Sequence, residues 1–406
     1  MELPKLRELE AFPVSVSGRQ MIGLRDPMNF SSETLAVPKH MHLLLVLLDG
    51  RHSVLDIQAE YMRASGELIY KETIEETLKR LDEGLFLDNE NFRRKREEIE
   101  SAFKQAGSRP AALAGKSYDD SPDTLAAQIE GFFTHAEGPG PLERDRAETG
   151  VKGIIAPHID FMRGGPCFAW AYKELAERSD ADVFIIFGTA HARTSAPFVI
   201  TYKNFETPFG ALPCERGILE ATEKKVSWDL SRDEFVHRNE HSIEFQTIFL
   251  RYLYRGKRDI SIVPILCGSF QEMLDSRKSP MDDERVREFV VALREAVAES
   301  GEKTCCVASA DLAHIGPRFG DPHPVSENFL RLLEAEDLRM LERLENVDAD
   351  GFFAQIEADG DRRRICGLPP IYTMLSVMEA TSGKLLKYQY WPDPAGTVSY
   401  ASMAFY

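Results

Sequence analysis

The chain reads as a two-part α/β protein: a mainly parallel sheet flanked by helices over residues 108–406, preceded over residues 1–107 by a small α+β unit. Three observations carry that reading. Gly153-Ile154-Ile155-Ala156-Pro157-His158 is an apolar run closed by proline and followed at once by a histidine. Val183-Phe184-Ile185-Ile186-Phe187-Gly188-Thr189-Ala190-His191 repeats the design. Between the two, Phe168, Tyr172 and Leu175 recur at i, i+4 and i+7, the spacing of a helix with one buried stripe. Strand, helix and parallel strand make a crossover unit, and ligands of open α/β sheets sit in the crevice beyond the carboxyl ends of the strands. His158 and His191 are therefore predicted to face one crevice.

At 406 residues the chain exceeds what one hydrophobic core serves, so two domains are expected. Met1 to Pro13 alternates charged and apolar residues and lacks the apolar core of a secretory signal. Leu43 to Leu48, the most apolar short run, falls far below the ~20 residues that span a bilayer, so a cytoplasmic protein without membrane contact is expected. A net charge of -17 argues against a nucleic-acid partner, because such binding depends on Lys and Arg against phosphates. The six cysteines are scattered and form no C-x-x-C pair, which suits free buried thiols in a reducing compartment.

In the first part, Met21 to Leu24 and Thr34 to Val37 read as short strands. Helices follow at His40 to Leu48, Val54 to Ala64 and Glu72 to Gly84, then a strand at Leu85 to Asp88. Ile74, Leu78 and Leu81 give the third helix one apolar stripe, and the set suggests a winged-helix-like fold. That helix carries Glu72, Glu75, Glu76, Asp82 and Glu83 against Lys79 and Arg80, a face that repels phosphate and favours a peptide or protein contact over DNA. Asn91 to Ala106 is a charged, solvated helix with Phe92, Ile99 and Phe103 on one side. Gly107-Ser108-Arg109-Pro110 breaks it, and the boundary is placed there.

The second part opens with a helix at Thr124 to Phe133 and an acidic, Gly/Pro-rich loop from Ala136 to Gly150. After the two histidine-bearing strands come strands at Ala196 to Tyr202, Asp259 to Leu266 and Lys303 to Ala308. Helices are expected at Asp283 to Ala298, Glu327 to Leu344 and Pro370 to Ala380, and antiparallel strands at Leu385 to Trp391 and Thr397 to Phe405 close the chain.

Four histidines, His158, His191, His241 and His314, lie at strand ends or helix starts. A single histidine near an apolar run is most often a hydrogen-bonded structural residue. Several on separate strand ends point instead to a shared metal, since neutral imidazole is the commonest ligand and strand-end loops can bring distant positions to the ~2.0–2.2 Å bonds required. His241 and Glu244 open a helix three residues apart and so share a face; there a neutral imidazole suits proton transfer, whereas Glu244 has capping as its alternative role. Asp311 either orients a neighbouring imidazole or caps a turn. Cys366, with a glycine turn at a helix start, reads as a thiol packed beside Ile365, with a reactive thiol as the alternative. No G-x-S-x-G elbow is present to support a serine hydrolase.

Ala156-Pro157-His158, Gly188-Thr189-Ala190-His191, Asn239-Glu240-His241-Ser242-Ile243-Glu244, Ser309-Ala310-Asp311-Leu312-Ala313-His314 and Ile365-Cys366-Gly367 stand in the order and approximate spacing of the Memo family. The resemblance covers the second part of the chain. It implies a fold similar to the class III extradiol dioxygenases, with a divalent metal, iron first and copper or zinc as alternatives, at the strand ends. His158 and His191 match the two histidine ligands and His241 matches the base-like histidine, with Glu244 beside it. For the third ligand a metal-binding relative has cysteine, and the dioxygenases glutamate, where this chain has Ala313. Three arrangements follow: His314 supplies the third bond, two histidines and water hold the ion, or the site holds none. The set adopted is His158, His191 and His314.

In the first part, Leu47-Leu48-Asp49-Gly50-Arg51-His52-Ser53-Val54-Leu55-Asp56-Ile57 and Leu78-Lys79-Arg80-Leu81-Asp82-Glu83-Gly84-Leu85 resemble PqqD-like peptide-chaperone modules that accompany radical-SAM enzymes. Together the resemblances imply a metal-dependent, oxygenase-like oxidoreductase working with a radical-SAM protein on a peptide or protein substrate. The alternative is a non-catalytic, partner-binding scaffold with a vestigial metal cleft.

Overall fold

A computed structural model describes residues 3–143 and 150–406, so part of the expected loop at 136–150 lies outside the described residues. The chain divides into two compact units, Met1–Ala106 and Gly107–Tyr406.

The first unit begins with an antiparallel meander of β1 (Glu10–Val16), β2 (Arg19–Arg25) and β3 (Thr34–Pro38). Ser17 and Gly18, both at positive φ (50° and 77°), make the two-residue turn whose twist matches a hairpin. β1 escapes the sequence reading because Pro13 interrupts it, and it lies where such a strand belongs, at the sheet edge. Four helices follow: α1 (His42–Leu47), α2 (Val54–Ser65), α3 (Lys71–Glu83) and α4 (Glu90–Gln105). Ser53 and Asp56 form a capping box on α2, which stops at the left-handed Gly66. Leu24, Val37, Leu44, Ile57, Ile74, Leu81 and Phe86 pack as the core. The strand expected at Leu85 to Asp88 shrinks to one bridge between Leu87 and Leu6, since Leu85 sits at φ 61° and cannot extend.

In the second unit the elements run β4 (Ser108–Arg109), α5 (Pro122–Thr134), β5 (Gly153–Ala156), α6 (Phe161–Arg178), β6 (Val183–Thr189), β7 (Phe198–Ile200), β8 (Asn204–Phe205) and α7 (Arg216–Glu223). Next come α8 (His241–Tyr254), β9 (Ser261–Cys267), α9 (Gln271–Ser276), α10 (Glu284–Ser300), β10 (Thr304–Ser309) and β11 (Asp311–Ile315). The chain ends with α11 (Glu327–Glu345), α12 (Ala349–Ala358), α13 (Leu368–Val377), β12 (Gly383–Trp391) and β13 (Thr397–Phe405). The main sheet has eight strands in the order β11-β13-β5-β10-β6-β9-β7, with β12 also on β13. Its centre is parallel, β5-β10-β6-β9. Both margins are antiparallel, so the sheet is mixed rather than parallel throughout.

Both faces of the central strands are covered, which is why they read as unbroken apolar runs rather than alternating ones. Ile155, Ile185, Phe187, Val263 and Ile265 pack with Ile371 and Leu375 of α13. Elsewhere Phe184 meets Tyr254 of α8, and Phe168 of α6 stacks on Phe249 of α8 at 5.1 Å. Register sets the strand ends level: Ser309 pairs with Ala156 and with Gly188, and Gly188 with Leu266. The residues that follow these ends emerge on one edge of the sheet.

Candidate metal centre

Pro157 closes β5 and His158 follows, 2% exposed. Its backbone N–H and that of Ile159 both donate to Asp311 Oδ1, at 2.9 and 3.1 Å. The His158 Nδ1 lies 3.0 Å from the Ser309 carbonyl, which can only accept, so Nδ1 carries the hydrogen and Nε2 keeps a lone pair. Asp311 thus orients the His158 backbone, and its Oδ2 also stands 3.8 Å from Nε2.

His191 follows β6 by two residues. Its backbone N–H donates to Glu240 Oε2 at 2.9 Å and its Nδ1 to Glu240 Oε1 at 3.0 Å, which again leaves Nε2 as the open nitrogen. The same Oε1 accepts from Ser242 N–H at 3.0 Å, capping α8, and stands 3.2 Å from His241 Nδ1. Glycine at 188 makes this possible: a Cβ there would stand 2.6 Å from Ile243 Cγ1 and 2.7 Å from Ser242 Oγ. Without side-chain bulk at that point, the start of α8 settles onto the end of β6 and brings His241 in.

The three rings meet. Centroid distances are 5.1 Å for His158 and His191, 5.3 Å for His158 and His241, and 4.6 Å for His191 and His241. One nitrogen from each lies within 4.8 Å of the others, so these residues could hold a metal ion. Nδ1 engaged on oxygen and Nε2 left open is the arrangement ligating imidazoles adopt, because the outer hydrogen bond selects the tautomer and fixes the ring. Burial, reinforced by the neighbouring His191 and His241, holds His158 well below the ordinary imidazole range and hence in the neutral, ligating form. Burial alone would raise the Glu240 carboxyl, but His191, by charge and hydrogen bond, and His241 carry it well below the carboxylate range.

Two sequence expectations meet a different geometry. His314 is outside the group: its Nδ1 lies 3.1 and 3.2 Å from the carbonyls of Leu312 and Arg364, and its ring stands edge-on to Phe319. It belongs to β11, where the register to β13 shifts between Asp311 and His314. Glu244, fully buried, is taken up by Arg109 and the Tyr118 hydroxyl, and accepts from Leu113 N–H at 3.0 Å. The carboxylate serving the imidazoles is Glu240, whose signal in the sequence was its place just ahead of the helix start.

Cys366 departs from the packed one of its two readings. Its Sγ is 3.3 Å from His158 Nε2 rather than packed away beside Ile365. A cavity of about 290 Å³ opens from His191 and Cys366 between Thr189, Phe270, Leu274 and Leu368, and offers room for a small ligand.

Sheet and cluster together define an α/β protein with a three-histidine candidate metal centre at its strand ends. The family model for Memo-like proteins matches residues 109–404, and the chain belongs to the Memo-like (MEMO1) family. It is 30% identical over 408 residues to a MEMO1 family protein of Aquifex aeolicus, covering 99% of this chain and 100% of that one. A MEMO1 family protein of Caldivirga maquilingensis is 32% identical over 311 residues, 73% of this chain and 99% of its own. One from Thermus thermophilus is 26% identical over 342 residues, 84% and 94% of the two chains. Among the described residues, no helix is long and apolar enough to cross a membrane.

Proposed function

We propose that the chain is a metal-dependent, redox or oxygenase-like protein whose ion, iron before copper or zinc, is held by His158, His191 and His241. The observation that carries this reading is the convergence of three imidazoles, one nitrogen of each within 4.8 Å of the others. Such an ion would supply Lewis acidity and, as iron or copper, electron transfer to a substrate. The chain's own part is to keep the donors in place. The Ser309 carbonyl and Glu240 hold the Nδ1 hydrogens of His158 and His191, and the adjoining cavity admits the ligand beside His191. The first unit, by its PqqD-like resemblance, presents a peptide or protein substrate in a radical-SAM-associated modification system.

The test is elemental analysis of the full chain purified without a histidine tag, beside a His158→Ala variant. Stoichiometric iron or copper in the first and its loss in the second supports the reading. The second reading, a partner-binding scaffold, is favoured by alanine at position 313, which offers no lone pair. A metal-free protein that still binds its partner would establish that reading instead.

A further inference from the structure

We infer that Gln246 is a positioning residue for the candidate metal centre, fixing the stance of its three histidines through the segments that carry them; this rests on the metal-centre reading above. Gln246 lies on α8 and is fully buried, as are Tyr172, Ser242 and Ser309. Its Nε2 is 2.8 Å from the Pro157 carbonyl and 2.7 Å from Ser309 Oγ, and its Oε1 is 2.8 Å from the Tyr172 hydroxyl. A carbonyl can only accept, so the nitrogen is the atom that faces Pro157 and the amide has one orientation. Ser309 donates its own hydrogen to the Ser242 carbonyl at 2.5 Å, so its oxygen receives one amide hydrogen and Pro157 the other.

Each histidine of the cluster is tied to this amide. The peptide between Pro157 and His158 is held at its carbonyl by Gln246 and at its N–H by Asp311 Oδ1. The His158 ring donates from Nδ1 to the carbonyl of Ser309, the residue whose hydroxyl Gln246 also holds. His241 is reached through its neighbour Ser242, whose carbonyl takes the Ser309 hydroxyl. The Ser242 hydroxyl in turn donates at 2.8 Å to the carbonyl of Thr189, at the end of the strand that leads to His191. A buried network with its donors and acceptors matched holds the elements it joins in one arrangement. A thioether of the same length in place of the amide takes the donor from the Pro157 carbonyl and from Ser309 Oγ, and frees both strand ends to shift against α8.

The probe is cobalt(II), titrated into the full chain purified without a histidine tag and read by visible absorption, with chelator competition for affinity. Gln246→Met is expected to stay folded, shift the visible bands and bind at least about tenfold more weakly, the loss that removing a group that orients ligands produces. Tyr172→Phe keeps the amide but removes the hydroxyl on its Oε1, and is expected to move both readouts the same way by less. Leu293→Ala, a core truncation on α10, is expected to lower the melting temperature and leave both readouts unchanged. Wild-type bands and affinity in Gln246→Met, or equal shifts in Leu293→Ala, overturn the role of Gln246 and leave the three-histidine site standing. Should Gln246→Met fail to fold, unchanged readouts in Tyr172→Phe overturn it. A further readout needs no metal: the His158 Nδ1 proton, held on the Ser309 carbonyl, is expected to give a slowly exchanging NMR signal in the wild type that moves and exchanges faster in both variants. No cobalt uptake by the wild type overturns the metal reading, and an unmoved proton signal in the variants separately overturns the role of Gln246.

Discussion

Glu240 grips His191 twice, taking the backbone N–H on Oε2 at 2.9 Å and the ring Nδ1 on Oε1 at 3.0 Å. The carboxylate also caps the helix that begins with His241, so one buried side chain fixes two of the three imidazoles. Glu240→Gln puts an NH2 group against at least one of these donors. The expected result is an intact fold and metal affinity reduced about 10- to 100-fold, read by competition with a chelator. Unchanged affinity would show that the carboxylate only caps the helix.

His241 and His314 are separated by a simple pair of substitutions. His241→Ala removes a nitrogen from the converging group, whereas His314→Ala removes a ring whose Nδ1 lies on the Leu312 and Arg364 carbonyls. Metal content is expected to fall in the first and persist in the second. The reverse pattern would restore His314 to the ligand set.

Glu244→Ala strips the carboxylate from a fully buried Arg109, which keeps carbonyl partners at His237 and Glu240 but no counter-charge. The expected cost is about 3–5 kcal/mol in unfolding free energy, visible as a lower melting temperature. Should stability hold while the pH profile of activity shifts, Glu244 is a proton-transfer group after all.

His237 is buried with Nε2 donating to the Val199 carbonyl, and burial pushes its pKa down to about 3. The unfolded chain holds that proton below the ordinary value of ~6.5 and the native state does not. Stability is therefore lost as pH falls from about 6.5 toward 3, by at most about 1.4 kcal/mol per pH unit. Above that window the group adds no slope. Urea unfolding of His237→Gln across this range is expected to be flatter than that of the wild type, and equal slopes would refute the assignment.

Much of the secondary structure was legible because its signals are local. Apolar runs of strand length marked β6, β9 and β10, and the Phe168, Tyr172 and Leu175 stripe marked α6. β11 was not legible. Its residues follow β10 almost without a break, and they become a strand only by pairing with β13, from Asp311↔Tyr400 to Ile315↔Thr397.

For the site, sequence alone determined that His158 and His191 leave the carboxyl ends of buried strands, since that needs only a short apolar run and its terminating residue. Which other groups join them was decided by tertiary structure. Glu240 reaches His191 across 49 positions, and Cys366 reaches His158 across 208. His241 and His314 look equivalent by local rules. Strand register and the close approach allowed by Gly188 and Gly367 separate them, and those depend on packing between segments that no local periodicity records.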